Sequence, residues 1–181
     1  MAGTIFETER LVVREFTVDD APAMFAIYSD PVVWRYLGGG EPHTSVEQAR
    51  DQLEVRIRNY SANAPYGSWA VVVRETEELI GTVLLLPLEE GPEVEVGYHY
   101  GQTAWGKGYA TEAATGAIQY GFTCLGLRQL CGVVFPENVA SQRVLEKAGM
   151  TYRGMRHTFG FELMYYTVAM DSCNVPETSL P

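Results

Sequence analysis

The feature that most constrains the fold is residues 97–117, where a strand passes through a glycine-rich turn into a helix. The segment reads GYHYGQTAWGKGYATEAATGA, and the turn is centred on Gly106, Lys107 and Gly108. Glycine lets backbone N–H groups converge, and the first turn of a helix leaves its N–H groups unpaired at the positive end of the dipole. The segment therefore predicts an anion site, to which Lys107 adds a full positive charge.

Spacing separates three phosphate-binding patterns for this turn. The dinucleotide fingerprint G-x-G-x-x-G fails at its third glycine, where Thr111 stands. The nucleotide-triphosphate loop G-x-x-x-x-G-K-[ST] fits from Gly101 but has Gly108 where a hydroxyl should bind magnesium. The third pattern, Gln/Arg-x-x-Gly-x-Gly/Ala, is that of the pyrophosphate loop of the GNAT acetyltransferases, which this turn resembles. Residues 105–110, WGKGYA, depart from it only at the first position.

The chain resembles the GNAT acetyltransferases beyond this loop. WGKGYATEA is followed by Asn138-x-x-Ser141 and by VLEKAGM at 144–150. The opening ETERLVVREFTVDDAPAMFAIYSDP at 7–31 is similar to the first strand and helix of the RimJ/RimL-like branch, the ribosomal-protein alanine N-acetyltransferases. The resemblance, which spans 7–170, implies an α/β (α+β) fold. Its central mixed sheet is mostly antiparallel, splayed at the middle strands and flanked by about four helices.

The resemblance also implies acetyl-CoA as the acetyl donor. The turn would hold the pyrophosphate of coenzyme A through backbone N–H groups, and the strand before it would pair with the pantetheine amides. The residues assigned to the coenzyme lie in that strand, in the turn or at the start of a later helix. They are Tyr98, His99, Tyr100, Trp105, Gly106, Lys107, Gly108, Tyr109, Ala110, Asn138 and Ser141.

Glu95 is the candidate general base, because it matches the Glu of the E-[IV]-G-Y strand of the family. Strand alternation places Glu93, Gly97 and His99 on the same face, so Glu93 and His99 remain alternatives. The unperturbed pKa of His, about 6.5 against about 4.3 for Glu, favours His99. A carboxylate could instead act through water and attract a cationic amine.

Ser141 is the candidate acid for the departing thiolate. Many GNAT enzymes use the Tyr of a Y-x-x-x-G-[FM] pattern, but Leu145 occupies that position here. The Asn138-x-x-Ser141 pattern resembles the branch in which the Ser hydroxyl lies near the thiolate. Capping of the helix N-terminus is an equal alternative for Ser141, and Asn138 is expected to set the turn or contact the coenzyme.

Charge narrows the choice of partners. The net charge of −10 argues against nucleic acid, because phosphate neutralisation needs a basic surface. Residues 101–160 hold six Lys or Arg and three acids, whereas residues 1–90 hold seven basic and fifteen acidic groups. We therefore expect an anionic coenzyme at the first region and a cationic acceptor, a small-molecule or peptide amine, at the second. Ordinary solvated charge explains the acidic excess equally well.

Cysteine usage and apolar runs bear on the compartment. The three cysteines are odd in number and lack C-x-x-C spacing, so no disulfide framework or zinc ribbon is predicted. No basic leader precedes an apolar run, and no apolar stretch has the length of a membrane span. We therefore expect a cytoplasmic protein without a membrane partner. The histidines are scattered, and no metal site is predicted.

One domain, 1–181, is expected from the length, with its core at about 7–170 and a flexible tail from Asp171. Residues 11–14 read as the first strand. A helix through Tyr28 is expected to end at Asp30-Pro31. Residues Thr44 to Glu47 are expected to form a capping box for the next helix. A homodimer is compatible with the sequence.

The predicted function is transfer of an acetyl group from acetyl-CoA to a primary amine by direct attack on the thioester. Two alternatives belong to other classes. A non-catalytic acyl-CoA-binding or sensor domain would bind the coenzyme tightly without transfer. A nucleotide-triphosphate-binding protein would require magnesium-dependent ATP binding despite Gly108.

Overall fold

An eight-stranded sheet forms the centre of the fold. The computed structural model describes residues 3–60, 65–88 and 91–170. The strands are β1 Thr4–Glu7, β2 Leu11–Arg14, β3 Gly67–Val73, β4 Leu79–Pro87, β5 Val94–Tyr100, β6 Gln129–Val134, β7 Thr151–Thr158 and β8 Phe161–Ala169. The α-helices are α1 Ala21–Tyr28, α2 Pro31–Trp34, α3 Val46–Arg58, α4 Tyr109–Thr123 and α5 Val139–Lys147. Short 3-10 turns, Val18–Asp20 and Gln102–Ala104, precede α1 and α4.

The sheet splits between two of its middle strands. The strand order is β1-β2-β3-β4-β5-β6-β8-β7, and β5 with β6 is the parallel pair in an otherwise antiparallel arrangement. β4 pairs with β5 along all of Val94–Tyr100. In the described chain, β5 and β6 pair at a single position, Glu95 opposite Cys131. The strands diverge beyond it, so the predicted splayed sheet is confirmed.

Helices cover both faces of the sheet. α1 and α3 lie on one face over a core that contains Met24 and Leu53. α4 lies on the other face, where Ala113, Ala114 and Ala117 are fully buried at 0% exposure. Small side chains at helical spacing let the α4 backbone approach the sheet closely. Four of the α-helices in the described ranges have eight residues or more, as predicted.

Two local features of the N-terminal half differ from the sequence prediction. β1 precedes the strand predicted to be first and pairs with it, and its four residues are too few to give a clear alternating pattern. Asp30-Pro31 does more than end α1. The helix α2 begins at Pro31, because proline suits the first turn of a helix. Asp30 caps this helix, and its side chain accepts a hydrogen bond from the Val32 N–H (2.9 Å).

The capping box of α3 lies one residue later than predicted. The Ser45 hydroxyl accepts from the Gln48 N–H (3.2 Å), and the Gln48 side chain accepts from the Thr44 N–H (2.9 Å). Gln48 therefore makes the reciprocal contact that was assigned to Glu47. The tail predicted from Asp171 lies outside the described residues. Within those residues, no helix combines the length and the apolar character that crossing a membrane requires.

Candidate active site

The glycine-rich turn connects β5 to α4 through the 3-10 turn. Gly106 and Gly108 have φ angles of 74° and 83°, in the left-handed region that favours glycine. Gly108 is the N-cap of α4, and its carbonyl accepts a hydrogen bond from the Glu112 N–H (3.1 Å). The helix N–H groups that precede Glu112 have no such partner one turn earlier, so they remain available to an anion.

A network that the sequence did not reveal anchors this turn. Glu112 accepts hydrogen bonds from the Thr8 hydroxyl (2.6 Å), the Arg10 N–H (2.8 Å) and Arg10 Nε (2.6 Å). Arg10 Nη1 also donates to the Lys107 carbonyl (3.0 Å). Burial opposes ionisation of Glu112, but the bonds from Thr8 and Arg10 outweigh it and lower its pKa. The acid in the first turn is thus paired with a cation.

Trp105 stands where the coenzyme A pattern has Gln or Arg. Its indole Nε1 donates to the Tyr100 carbonyl (2.9 Å), and the side chain is 48% exposed. The ring therefore ties the turn back to the end of β5. Tyr109 and Ala110 lie in the first turn of α4, as predicted, and Lys107 is exposed.

Glu95 lies at the point where β5 and β6 separate. Its side chain is partly buried, and burial raises its pKa to about 7, although a backbone hydrogen bond from Val133 opposes the rise. Near neutral pH the carboxyl is therefore present in both protonation states. A general base is most effective when its pKa is close to the ambient pH, so Glu95 has the property that this role needs.

His99 lies on the same face of β5, two residues before the glycine at 101. Its Nδ1 is 3.0 Å from the Tyr28 hydroxyl of α1, and the two rings meet edge-on with centroids 6.0 Å apart. Burial, with a smaller effect from the Arg56 cation, lowers its pKa to about 4. The imidazole is neutral at pH 7 and is a weaker base than its unperturbed pKa suggested.

Glu93 is held in a separate cluster at the start of β5. Its carboxylate forms an ion pair with Arg156 (2.5 Å) and accepts a hydrogen bond from the Tyr165 hydroxyl. Burial opposes ionisation, but these contacts prevail and lower the pKa of Glu93. A carboxylate engaged in this way is less suited than Glu95 to accept a proton.

The residues considered for the acid lie on the opposite face of β5. The Tyr98 and Ser141 hydroxyl oxygens are 2.9 Å apart, and the Tyr98 hydroxyl also reaches the Ser141 carbonyl (3.1 Å). Asn138 is the N-cap of α5, because its side chain accepts from the Ser141 N–H (3.2 Å). The capping role therefore belongs to Asn138, and the Ser141 hydroxyl bonds Tyr98 rather than a helix N–H. Leu145 is 2% exposed, in the core.

The Tyr98–Ser141 pair could have been suspected in part from the sequence. Alternation separates Tyr98 from His99, but nothing in the sequence gives its distance from a residue 43 positions away. Burial raises the pKa of Tyr98 well above its ordinary value, so the phenol keeps its proton.

A cavity of about 490 Å³ opens on the face of the sheet that carries His99. α3 contributes Arg56 to its wall, and the sheet contributes Leu84 and Leu86. Leu86 lies opposite Glu95 in the pairing of β4 with β5, so the Glu95 side chain adjoins this space. Across the described residues, no group of His, Cys, Asp or Glu side chains is placed to hold a metal ion.

A mixed sheet that splits at its parallel pair lies beside a glycine turn at a helix N-terminus, which is the arrangement that the resemblance to the GNAT acetyltransferases implies. Residues 10–151 match the family model described as acetyltransferase (GNAT) domain, and the chain belongs to this family. It is 36% identical over 149 residues to an uncharacterized N-acetyltransferase, p20, of Bacillus licheniformis, covering 82% of this chain and 83% of that protein.

Solved structures give the same assignment. A GNAT-family acetyltransferase from Bacillus anthracis has a TM-score of 0.76 and 26% identity, covering 93% of this chain and 98% of its own. RimL, a ribosomal L7/L12 alpha-N-protein acetyltransferase solved in complex with coenzyme A, has a TM-score of 0.77 at 16% identity, with 93% and 99% covered. The likeness to RimL, at this identity, is one of fold alone.

Proposed function

We propose that this chain transfers the acetyl group of acetyl-CoA to a primary amine, with Glu95 as the general base. The observation that carries this proposal is the place of Glu95, whose pKa burial raises to about 7, at the opening of the sheet. Membership in the GNAT family supports acetyl transfer as the reaction type. The acceptor is a protein N-terminus or a small-molecule amine.

The residues at the turn fit coenzyme A. Backbone N–H groups of 105–110 would hold the pyrophosphate, and exposed Lys107 adds positive charge. The β5 backbone beyond Glu95 offers donors and acceptors to amides as a neighbouring strand would. A neighbour of the same fold, RimL, was solved with coenzyme A, which supports this assignment. The coenzyme, when bound, supplies an acetyl group activated as a thioester.

The acceptor nitrogen must lose a proton before it attacks. Amines have pKa values of about 8 to 10 and are mostly protonated at pH 7. Glu95 accepts that proton, directly or through a water molecule, and its pKa of about 7 lets it ionise under these conditions. His99 is neutral, and its Nδ1 lies 3.0 Å from the Tyr28 hydroxyl, so it is less suited than Glu95 to accept the proton.

The opposite face of β5 supplies the proton that a departing thiolate needs. When the Tyr98 hydroxyl donates to Ser141 Oγ, the Ser141 hydrogen is free to point elsewhere. Ser141 is therefore the proposed donor: its proton goes to the thiolate sulfur, and its hydroxyl is reprotonated from water. Tyr98 is a positioning residue that keeps its own proton. β5 thus separates the two proton transfers, with the base on one face and the acid on the other.

The surroundings favour a cationic amine and a reducing compartment. Asp51 lines the cavity, and Glu47 and Glu54 are exposed on the same helix, α3. Acidic groups around a cavity raise the local concentration of an ammonium substrate.

Cys124 and Cys131 are free thiols, which is the state expected in the cytoplasm, and we place the reaction there.

The test is release of coenzyme A thiol from acetyl-CoA across a panel of N-terminal peptides, polyamines, amino acids and aminoglycosides. Release stimulated by one class, with the mass of the acetylated amine, is the expected result. Tight binding of acetyl-CoA with no release in any arm would overturn the proposal in favour of a sensor. Magnesium-dependent binding of ATP in place of acetyl-CoA would overturn the assignment of the turn.

A further inference from the structure

The cavity beside His99 has dimensions suited to a small molecule. Its volume of about 490 Å³ lies within the range of small-ligand pockets, about 300–1,000 Å³. Much of the wall is apolar, with Val55 of α3 facing the sheet residues Leu84 and Leu86. Apolar walls give shape and little orientation, so the few polar groups decide how a ligand lies.

Arg56 is the cation of this cavity, and it is unpaired. Its guanidinium carbon lies 5.0 Å from the centroid of the Phe16 ring, which fixes the side chain. Its Nη1 is buried and has no hydrogen-bond partner within residues 3–60, 65–88 and 91–170. In the same ranges, no carboxylate forms an ion pair with Arg56.

Other partly buried arginines of the fold have a carboxylate at 2.5 to 2.7 Å. They are Arg14 with Asp20 and Arg156 with Glu93. The buried Nη1 of Arg56 has no such partner, and it carries a desolvation cost that the contact with the Phe16 ring offsets only in part. A ligand that brings its own anion would offset it, and the planar fork of arginine matches a carboxylate in two parallel hydrogen bonds.

The charge of the cavity favours a monoanion. Arg56 is one cation, and Asp51, also on the wall, is exposed and forms no ion pair with it. A dianion such as a phosphate ester would leave one negative charge without a partner. A ligand with one carboxylate and one ammonium would instead complement both Arg56 and the acidic groups near the opening.

We propose that the acceptor is a small amine that also carries a carboxylate, and that Arg56 binds the carboxylate while the amine lies toward Glu95. The proposal rests on the acetyl transfer proposed above and names the substrate class of that site. Arg56 thereby becomes a specificity-determining residue. It would orient the acceptor so that the nitrogen approaches the opening of the sheet.

The experiment compares each amino acid with its carboxamide, for example leucine with leucinamide, as acceptors in the thiol-release assay. The wild-type protein should have a KM about 10- to 100-fold lower for the carboxylate, the range expected for a hydrogen-bonded charge pair. Arg56→Gln should abolish that preference while leaving the KM for acetyl-CoA unchanged. Amino acid and carboxamide also differ in the pKa of the amine, but this difference is the same for both proteins. Dividing the carboxylate preference of the wild-type protein by that of Arg56→Gln therefore cancels it.

Two further variants control for folding and for charge in general. Arg58→Gln removes an arginine of the same helix that is 67% exposed and 3.8 Å from Glu54, and it should leave the preference intact. Arg56→Lys keeps the positive charge without the fork, so it should retain part of the preference. Equal use of amino acids and carboxamides by the wild-type protein, or a preference that survives in Arg56→Gln, would overturn the proposal.

A binding measurement separates this proposal from the proposed reaction. The same amino acids and carboxamides are added without acetyl-CoA, and the melting temperature is followed in the wild-type protein and in Arg56→Gln. Stabilisation by carboxylates that is lost in Arg56→Gln, without thiol release, would support the site and refute the reaction. Thiol release without any carboxylate-dependent stabilisation or preference would support the reaction and refute the site.

Discussion

Replacing Glu95 by glutamine should lower turnover and raise stability at the same time. The exchange keeps the size of the side chain and removes its ability to take a proton. A positioned general base contributes about 10²- to 10⁴-fold, so kcat should fall by that order. The affinity for acetyl-CoA should not change, because Glu95 lies on the side of β5 away from the turn at 106–108.

The effect on stability follows from the pKa. Burial raises the pKa of Glu95 from 4.5 to about 7 in the folded state. The folded protein therefore binds more protons than the unfolded chain between these values, and the free energy of unfolding falls as the pH rises through that window. Each pKa unit corresponds to about 1.4 kcal/mol, which gives a loss of about 3 kcal/mol that is complete above pH 7.

The assay is urea unfolding at pH 5 and pH 8, paired with thiol release at saturating acceptor. Any fixed cost of burying the glutamine amide is the same at both pH values. The advantage of Glu95→Gln over the wild-type protein should therefore grow by about 2.5 kcal/mol from pH 5 to pH 8, because a small part of the loss has already occurred at pH 5. In the wild-type protein, kcat/KM should rise with pH through about 7, and the variant should lose this limb of the profile.

Glu93→Gln is the matched control, two residues away and immediately before β5. Glu93 has a lowered pKa in the fold, so its contribution to stability is present above its unfolded pKa and is lost as the pH falls through the folded one. Glu93→Gln should therefore have a lower free energy of unfolding than the wild-type protein at pH 8, whereas Glu95→Gln should have a higher one. Unchanged turnover in Glu95→Gln, or a stability difference that does not vary with pH, would refute the assignment of a desolvated base at Glu95.

Three further outcomes are expected. Gly108→Val should weaken acetyl-CoA binding at least about tenfold by calorimetry, because φ is 83° there and the backbone donors would be displaced. Gly126→Val is the control, because Gly126 has a φ of 67° and open space around it. It should lower the free energy of unfolding about as much as Gly108→Val does, without changing the affinity for acetyl-CoA. Ser141→Ala should lower kcat about 10- to 100-fold with a near-normal KM for acetyl-CoA. Tyr98→Phe should lower kcat by less. If both variants have the kinetics of the wild-type protein, Ser141 and Tyr98 have no part in protonating the thiolate. Asn138→Ala should cost about 1 kcal/mol in urea unfolding through loss of the α5 cap, and no loss would contradict that role.

Much of the fold follows from local patterns. The alternation along β5 correctly separates the side chains of Glu95 and His99 from that of Tyr98, because a strand has a fixed period of two. The turn at 106–108 was predicted because its glycines and the helix that follows are contiguous in the chain. Those features depend on neighbours in sequence, which is why a single sequence reveals them.

The state of the site residues could not be predicted in the same way. The preference for His99 on its unperturbed pKa reverses in the fold, where burial lowers that pKa to about 4 and raises that of Glu95 to about 7. Desolvation depends on which helices cover the sheet. The unpaired state of Arg56 likewise depends on residues from separate elements. Such properties arise from packing between distant segments.

The hydrogen bonds between Arg10 and Glu112 imply that the glycine-rich turn at 106–108 is anchored late in folding. The hydrogen bonds join residues 102 positions apart, so the turn gains this anchor only after the first hairpin has docked on α4. Contacts of such sequence separation carry a large loop-closure cost and form slowly. During synthesis, the hairpin must wait for residue 112 to emerge. A chain that ends before residue 112 lacks the partner of Arg10 and therefore this anchor.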